Sequence, residues 1–290
     1  MHEKPNLIMP GQTAVLASMH GKEAVIAPLL HKALGLHVEV CTGLDTDQFG
    51  TFSGDIPRQG TAYESAQAKI AAAFKLHPSA HIAIASEGSF APLPAMPYLT
   101  RAQELVLLQD QRTGLEVTGL DVRLDAHFGS LISDDMESLM TFATTKLFPS
   151  HGMIVIAAQN GRCAPELWLD KTIATQEDLV RSLHTALKLS GQAMIQTDQR
   201  AHRNPTRMKA IESATQKLID TYFTPCPQCQ SPGYESVQAL LGLPCEICHS
   251  PTSLIASHIW HCKACGYESI TPNSKNGPYA NALYCLQCNP

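Results

Sequence analysis

The chain has 290 residues, 44% of them hydrophobic, and a formal net charge of −5. This is enough apolar side chain for one large domain plus a small module. The acidic balance argues against a protein that coats nucleic acid or a membrane surface through charge. No apolar run nears the roughly 20 residues that span a bilayer. The opening MHEKPNLIMPGQ lacks the charged-then-apolar order of a signal peptide, so a cytoplasmic location is expected.

Thr13–Ala17 (TAVLA) reads as a short buried strand and Ser18-Met19-His20-Gly21 as a turn. Residues 22–34 read as a helix with Val25, Ile26, Leu29, Leu30 and Ala33 on its apolar stripe, stopped by Gly35. Residues 38–41 form a second strand, and this order predicts parallel pairing through a right-handed crossover. Residues 45–60 are polar and contain glycine, which predicts a loop long enough to serve a function. Thr61 and Glu64 have capping-box spacing, and Ala66, Ile70, Ala73 and Phe74 continue a helix that His77, Pro78 and Ser79 end. Residues 82–85 (IAIA) read as a strand buried on both faces. Ser86-Glu87-Gly88-Ser89 then sets a carboxylate beyond its carboxyl end, where open α/β sheets hold ligands.

The proline-rich residues 91–100 are expected to cross the surface. A hairpin is predicted from 104–110 and 116–124, around Arg112-Thr113-Gly114. Helices follow over 133–148, capped by Ser133, and over 175–189, capped by Thr175. Strands are predicted over 153–158 and Gln192–Thr197. A last helix starts with Pro205 after the N-cap Asn204 and runs to about Tyr222. The fold class is thus α/β: a central mixed sheet flanked by helices over residues 1–222, then a cysteine module over 223–290.

Three segments of the first unit suit an anion. Backbone N–H groups at a helix start, together with Ser18, His20 and Lys22, can hold a phosphate. Glu64 and Glu87 could supply oxygens to Mg²⁺, although Glu64 may serve only its capping box. Arg200, His202, Arg203 and Arg207 crowd the entry to the last helix, where guanidinium groups suit phosphate or carboxylate.

These segments resemble the inosine triphosphate pyrophosphatase superfamily. Ala17-Ser18-Met19-His20-Gly21-Lys22 is similar to its opening strand-turn-helix. Gly60-Thr61-Ala62-Tyr63-Glu64-Ser65-Ala66 is similar to its Gly-Thr-x-Phe-Glu-Glu-Asn-Ala stretch, with Ser65 in place of a second glutamate. Ser86-Glu87-Gly88 resembles its acidic turn, and Ala201-His202-Arg203 its Ser-His-Arg base-recognition motif. The whole chain also resembles an uncharacterised bacterial domain-of-unknown-function family that joins Ala-Ser-Glu-Gly-Ser-Phe, Thr-Asp-x-Arg-Ala-His-x-Asn-Pro-Thr-Arg and a tail ending Cys-Asn-Pro. The superfamily resemblance implies a metal-dependent hydrolase that releases pyrophosphate from a nucleoside triphosphate. Glu64 and Glu87 would carry Mg²⁺ and the attacking water. Lys22, Arg200 and Arg207 would clamp the phosphates, Lys69 would match the basic residue of the same helix, and His202 and Arg203 would face the base. Two other readings are open: a nucleotide-binding sensor or adaptor without turnover, and an enzyme on another small anion.

Eight of the ten cysteines form four C-x-x-C pairs: Cys226/Cys229, Cys245/Cys248, Cys262/Cys265 and Cys285/Cys288. Two tetrahedral Cys₄ zinc sites are expected. Neighbouring, nested and crossed combinations of pairs all use the same eight ligands, leaving His249, His258 and His261 over. Cys41 and Cys163 are expected to be buried apolar residues. With only Lys263 and Lys275 as cations, against Glu235, Glu246 and Glu268, the module does not offer the basic stripe that nucleic acid needs. A structural role or a protein contact is expected of it. Oligomeric state stays open, a homodimer included.

Overall fold

The computed structural model describes residues 9–50, 58, 60–93, 96–125, 127–273 and 277–290. The chain opens with β1 (Thr13–Ala17), α1 (Glu23–Leu34) and β2 (His37–Val40). Gly35 adopts the left-handed conformation at φ 72° and donates its N–H to the His31 carbonyl, which ends α1. A short 3₁₀ turn, Thr46–Phe49, and α2 (Ala62–Leu76) follow. The remaining residues of the expected loop, 51–57 and 59, lie outside the described set. β3 (Ile82–Leu93) and β4 (Met96–Asp110) then pair as a long antiparallel ribbon, which β5 (Leu115–Asp125) extends.

The first sheet has the order β2-β1-β3-β4-β5. β2 and β3 flank β1 in parallel, and β4 and β5 are antiparallel. Its core follows the strand period of two. Ala14, Leu16, Ile82 and Ile84 face Ile26, Leu30 and Leu34 of α1. Val15, Ala17, Ala83 and Ala85 face Ala66, Ile70 and Ala73 of α2. Sequence reading stopped β3 at Ala85 and took 91–100 as a surface crossing. Instead both strands of the ribbon run through most of that stretch.

The single central sheet expected over residues 1–222 is in fact two. β6 (Ser130–Ser133), α3 (Met136–Thr145), β7 (Met153–Gln159), β8 (Arg162–Cys163), β9 (Leu169–Asp170), α4 (Gln176–Ser190) and β10 (Gln192–Thr197) build a second sheet of order β6-β10-β7-β8, with β9 also on β7, all antiparallel. Leu139 of α3 and Leu179 and Leu183 of α4 fill its core with Met153, Val155 and Ile195. α3 is capped by Asp135, whose side chain accepts from Glu137 and Ser138 N–H, rather than by Ser133. Thr175 caps α4 as expected, with Asp178 completing a capping box.

α5 (Pro205–Tyr222) returns to the first sheet, on the α1 side, through Ile211, Ala214 and Leu218. Its Asn204 cap accepts from Arg207 N–H. Gly119 of β5 permits this packing, because a Cβ there would lie 2.0 Å from the Ala214 carbonyl oxygen and 2.4 Å from Leu218 N. Beyond α5, β11 (Glu235–Leu241), β12 (Ile255–His261) and β13 (Glu268–Pro272) form a separate antiparallel meander. No helix among the described residues is long and apolar enough to cross a membrane.

The clash at Gly119 is with backbone, which cannot rotate away. Gly119→Ala is expected to lower unfolding stability by at least about 3 kcal/mol, read from urea denaturation midpoints at an unchanged m-value.

Candidate functional site

The carboxyl end of β1 and the middle of β3, at Glu87, border a cavity of about 90 Å³, so Glu87 lies within its strand and not beyond its end as the sequence suggested. It is closed by the Thr46–Phe49 turn, α2 through Lys69, the start of β7 through Ile154, Lys171 just after β9, the β10–α5 connection through Asp198 and Arg200, and α5 through Arg207. Lys22, Lys69, Lys171, Arg200 and Arg207 line it against Asp47, Glu87 and Asp198, so fixed cations outnumber carboxylates.

Lys22 is the N-cap residue of α1 and reaches β3, the central strand, where Nζ donates to the Ser86 carbonyl at 2.6 Å. Burial, with Arg207 close by, pushes its ammonium down to about 7. Glu87 extends from β3 into a ring of donors. Lys69 Nζ pairs with Oε1, Ser65 Oγ donates to Oε1 at 3.0 Å, and Arg58 Nη2 lies 3.0 Å from Oε2. Burial alone would raise the Glu87 carboxyl, but Lys69, Lys22 and Arg58 together hold it below the usual range. Arg207 is itself buried, with Nε donating to Glu104 Oε1 at 2.6 Å and Nη1 to the Gln199 carbonyl. Gly88 leaves room for that pair, since a Cβ there would fall 2.5 Å from Arg207 Nη2 and 2.6 Å from Glu104 Oε1.

Most of the expected anion-binding residues converge here. Ser18, His20, Lys22, Lys69, Glu87, Arg200 and Arg207 line one cavity. His202 stands behind His20, ring centroids 5.5 Å apart, and burial beside Arg200 keeps its imidazole below the ordinary value. Arg203 turns elsewhere, donating through Nη2 to the Ile173 carbonyl. Arg200 is clamped by Asp198, whose Oδ2 lies 2.7 Å from Nη2.

Glu64 does not join them. It is exposed at the start of α2, accepts from Thr61 N–H at 2.7 Å and from Thr61 Oγ1 at 3.0 Å, and does not line the cavity. The residues present therefore do not fit a Mg²⁺ ion shared by Glu64 and Glu87. One carboxylate is a helix cap, and both oxygens of the other already face cations. Sequence reading missed Asp47, Asp198, Lys171 and Glu104. The only advance signal was that Asp47 lies in the long polar loop and Asp198 beside the arginine cluster.

The cysteines form two groups of four: Cys226, Cys229, Cys262 and Cys265, and separately Cys245, Cys248, Cys285 and Cys288. Sulfur atoms across the pairs lie 3.8 and 3.7 Å apart in the first group, and 3.9 and 3.4 Å in the second. A tetrahedron with Zn–S bonds of 2.3 Å has an edge of roughly 3.8 Å. Both groups could thus hold a metal ion such as zinc. The crossed pairing follows from the meander, in which β11 and β12 run in opposite directions. That brings the first and third knuckles to one end of the sheet and the second and fourth to the other. At the first end Lys263 Nζ lies 2.9 Å from Glu116 and 3.2 Å from Glu235, which ties the module to β5. Cys41 is buried as expected, but Cys163 is exposed.

This is an α/β chain with a cation-lined cavity beside β1 and β3 and a meander carrying two tetracysteine groups. It belongs to the family described as Domain of unknown function (DUF6671), whose model matches residues 69–290. No curated protein matches the chain.

Two measurements follow from this geometry. Lys22 must carry a proton to hold an anion, and its ammonium titrates near 7 in the free protein. Sulfate, which keeps its charge throughout, should therefore bind about tenfold more weakly per pH unit above 7. Calorimetric titration from pH 6 to 9 checks this, and Lys22→Met should flatten the slope. In stability the sign is opposite. The unfolded chain keeps the ordinary 10.5 and binds the extra proton between about 7 and 10.5, so the buried lysine costs least at high pH. For the cysteine groups, elemental analysis should find two zinc equivalents per chain. Cys226→Ser and Cys262→Ser should each lose the same one and leave the second in place.

Proposed function

We propose that the chain binds the phosphate groups of a phosphorylated nucleotide in the cavity bordered by β1 and β3 and hydrolyses a phosphoanhydride there, releasing pyrophosphate. The observation that supports this reading most is the convergence of Lys22, Lys69 and Arg207 from three separate elements on one small cavity. Its volume of about 90 Å³ suits a single phosphoryl group. Lys69 and Arg207 are each paired with a buried carboxylate, whereas Lys22 donates to a carbonyl oxygen, so an entering anion would compensate the desolvation of Lys22 in particular. The nucleotide part of the reading rests on the four segments similar to the inosine triphosphate pyrophosphatase superfamily. The two tetracysteine groups are proposed to hold structural zinc, each stapling one end of a small module that buries few large apolar side chains.

One observation favours a second reading, a nucleotide sensor without turnover. Glu87 is ion-paired on both oxygens, so it is poorly suited to take a proton from water. In that case the module would make the partner contact.

The test is pyrophosphate release from a panel of adenosine, guanosine, cytidine, uridine, inosine and xanthosine triphosphates, beside thermal stabilisation by each. Turnover of at least one, reduced 100-fold or more in Lys22→Met, is the expected result. Stabilisation without turnover would select the sensor. Neither response would remove both readings.

A further inference from the structure

The turn after β1 and the 3₁₀ turn after β2 are latched to each other. Thr46 N–H donates to Met19 Sδ at 3.0 Å, and Asp45 Oδ1 accepts from Asp47 N–H at 2.9 Å, which caps the 3₁₀ turn that carries Asp47. Across the latch, His20 Nε2 lies 3.3 Å from Asp47 Oδ1. Both residues line the phosphate cavity.

We propose that His20 and Asp47 form a proton-accepting dyad, in which His20 takes the proton from the water that attacks a bound phosphoanhydride and Asp47 orients the ring. The inference rests on the hydrolytic reading of the cavity. With Nε2–H directed at the carboxylate, the remaining lone pair sits on Nδ1, the tautomer a general base requires. The charged groups around the ring are Asp47, Lys22 and His202. Burial, helped by Lys22 and His202 and opposed by Asp47, keeps the ring below its ordinary 6.5 and therefore neutral at pH 7. The ring stays 19% exposed, which leaves a route to solvent for the proton.

The step balances with water as the only co-reactant. The water oxygen forms a bond to phosphorus while its proton moves to Nδ1. The bridging P–O bond breaks, and its electron pair leaves on the departing pyrophosphate. The imidazolium is stabilised by Asp47 and then releases its proton to solvent. Glu87 acts instead as the counter-ion that keeps Lys69 and Lys22 charged and in place.

The experiment is a pH profile of pyrophosphate release by the full chain on the same triphosphate panel, for wild type, His20→Gln and Asp47→Asn, each with sulfate stabilisation as a control for the pocket. Wild type should show an acidic limb below pH 6.5. His20→Gln should lose at least about 100-fold in kcat, with KM within about threefold and sulfate stabilisation kept. Asp47→Asn should lower kcat and move the acidic limb to lower pH, because the carboxylate that raises the ring's affinity for a proton is gone. Three results would overturn the dyad. They are wild-type kcat in His20→Gln, an unshifted limb in Asp47→Asn, or loss of sulfate stabilisation together with turnover in His20→Gln, which would make the pair a structural latch. A wild type stabilised by sulfate but inert on every triphosphate would overturn the dyad and leave phosphate binding standing. A wild type that sulfate does not stabilise would remove both.

Discussion

A buried guanidinium on a buried carboxylate holds the site together. Arg207, in the first turn of α5, meets Glu104 in the middle of β4, and both side chains are 2% exposed. Such a pair gains little over two apolar residues of the same volume, but losing one partner leaves an uncompensated charge and is strongly unfavourable. Its value here is positional. Fixing the start of α5 on the first sheet also fixes the connection that precedes it, so Asp198 and Arg200 come to line the cavity with Ala17 at the end of β1 and Glu87 in the middle of β3. The second sheet delivers that connection, and Arg207 anchors it. The backbone approach at Gly88 and the Asn204 cap serve the same junction.

The cavity is electrostatically unbalanced by design of its neighbours rather than by any single residue. Glu87 neutralises Lys69 and Arg58, Glu104 neutralises Arg207, and Asp198 neutralises Arg200. Among the described residues Lys22 donates to a carbonyl oxygen, not to a carboxylate, and burial pushes its ammonium down to about 7. A dianion entering the cavity would restore the balance. This is why affinity for an anion and the protonation of Lys22 are one linked equilibrium.

Local chemistry was legible in the sequence, and long-range pairing was not. The short apolar run TAVLA gave β1, the glycine after Leu34 gave the end of α1, and Asn204-Pro205 gave the start of α5, because each is decided by a few adjacent residues. That the described part of residues 1–222 builds two sheets depends on β10 pairing with β6 and β7, which no local pattern encodes. The prolines of 91–100 suggested a loop, yet the ribbon takes Pro92 and Pro97 in its outer half, away from the sheet centre. At the site, the basic residues announced themselves by density. Glu104 did not, since a single carboxylate at the head of an apolar strand looks like a strand boundary until its arginine is known. Glu64 shows the reverse: a capping box and a metal ligand have the same spelling, and only the structure separates them. The cysteine connectivity depended on strand direction, so the eight ligands were readable and their partition was not.

Interleaving the two tetracysteine groups along the chain has a consequence for how the module is made. During synthesis the first four thiols to emerge, Cys226, Cys229, Cys245 and Cys248, belong half to one cluster and half to the other. They are nonetheless free to trap an ion together before the third knuckle exists. Were an ion held that way, Cys262 and Cys265 would have to displace two of its ligands after β12 folds back, and that exchange would slow the maturation of the module.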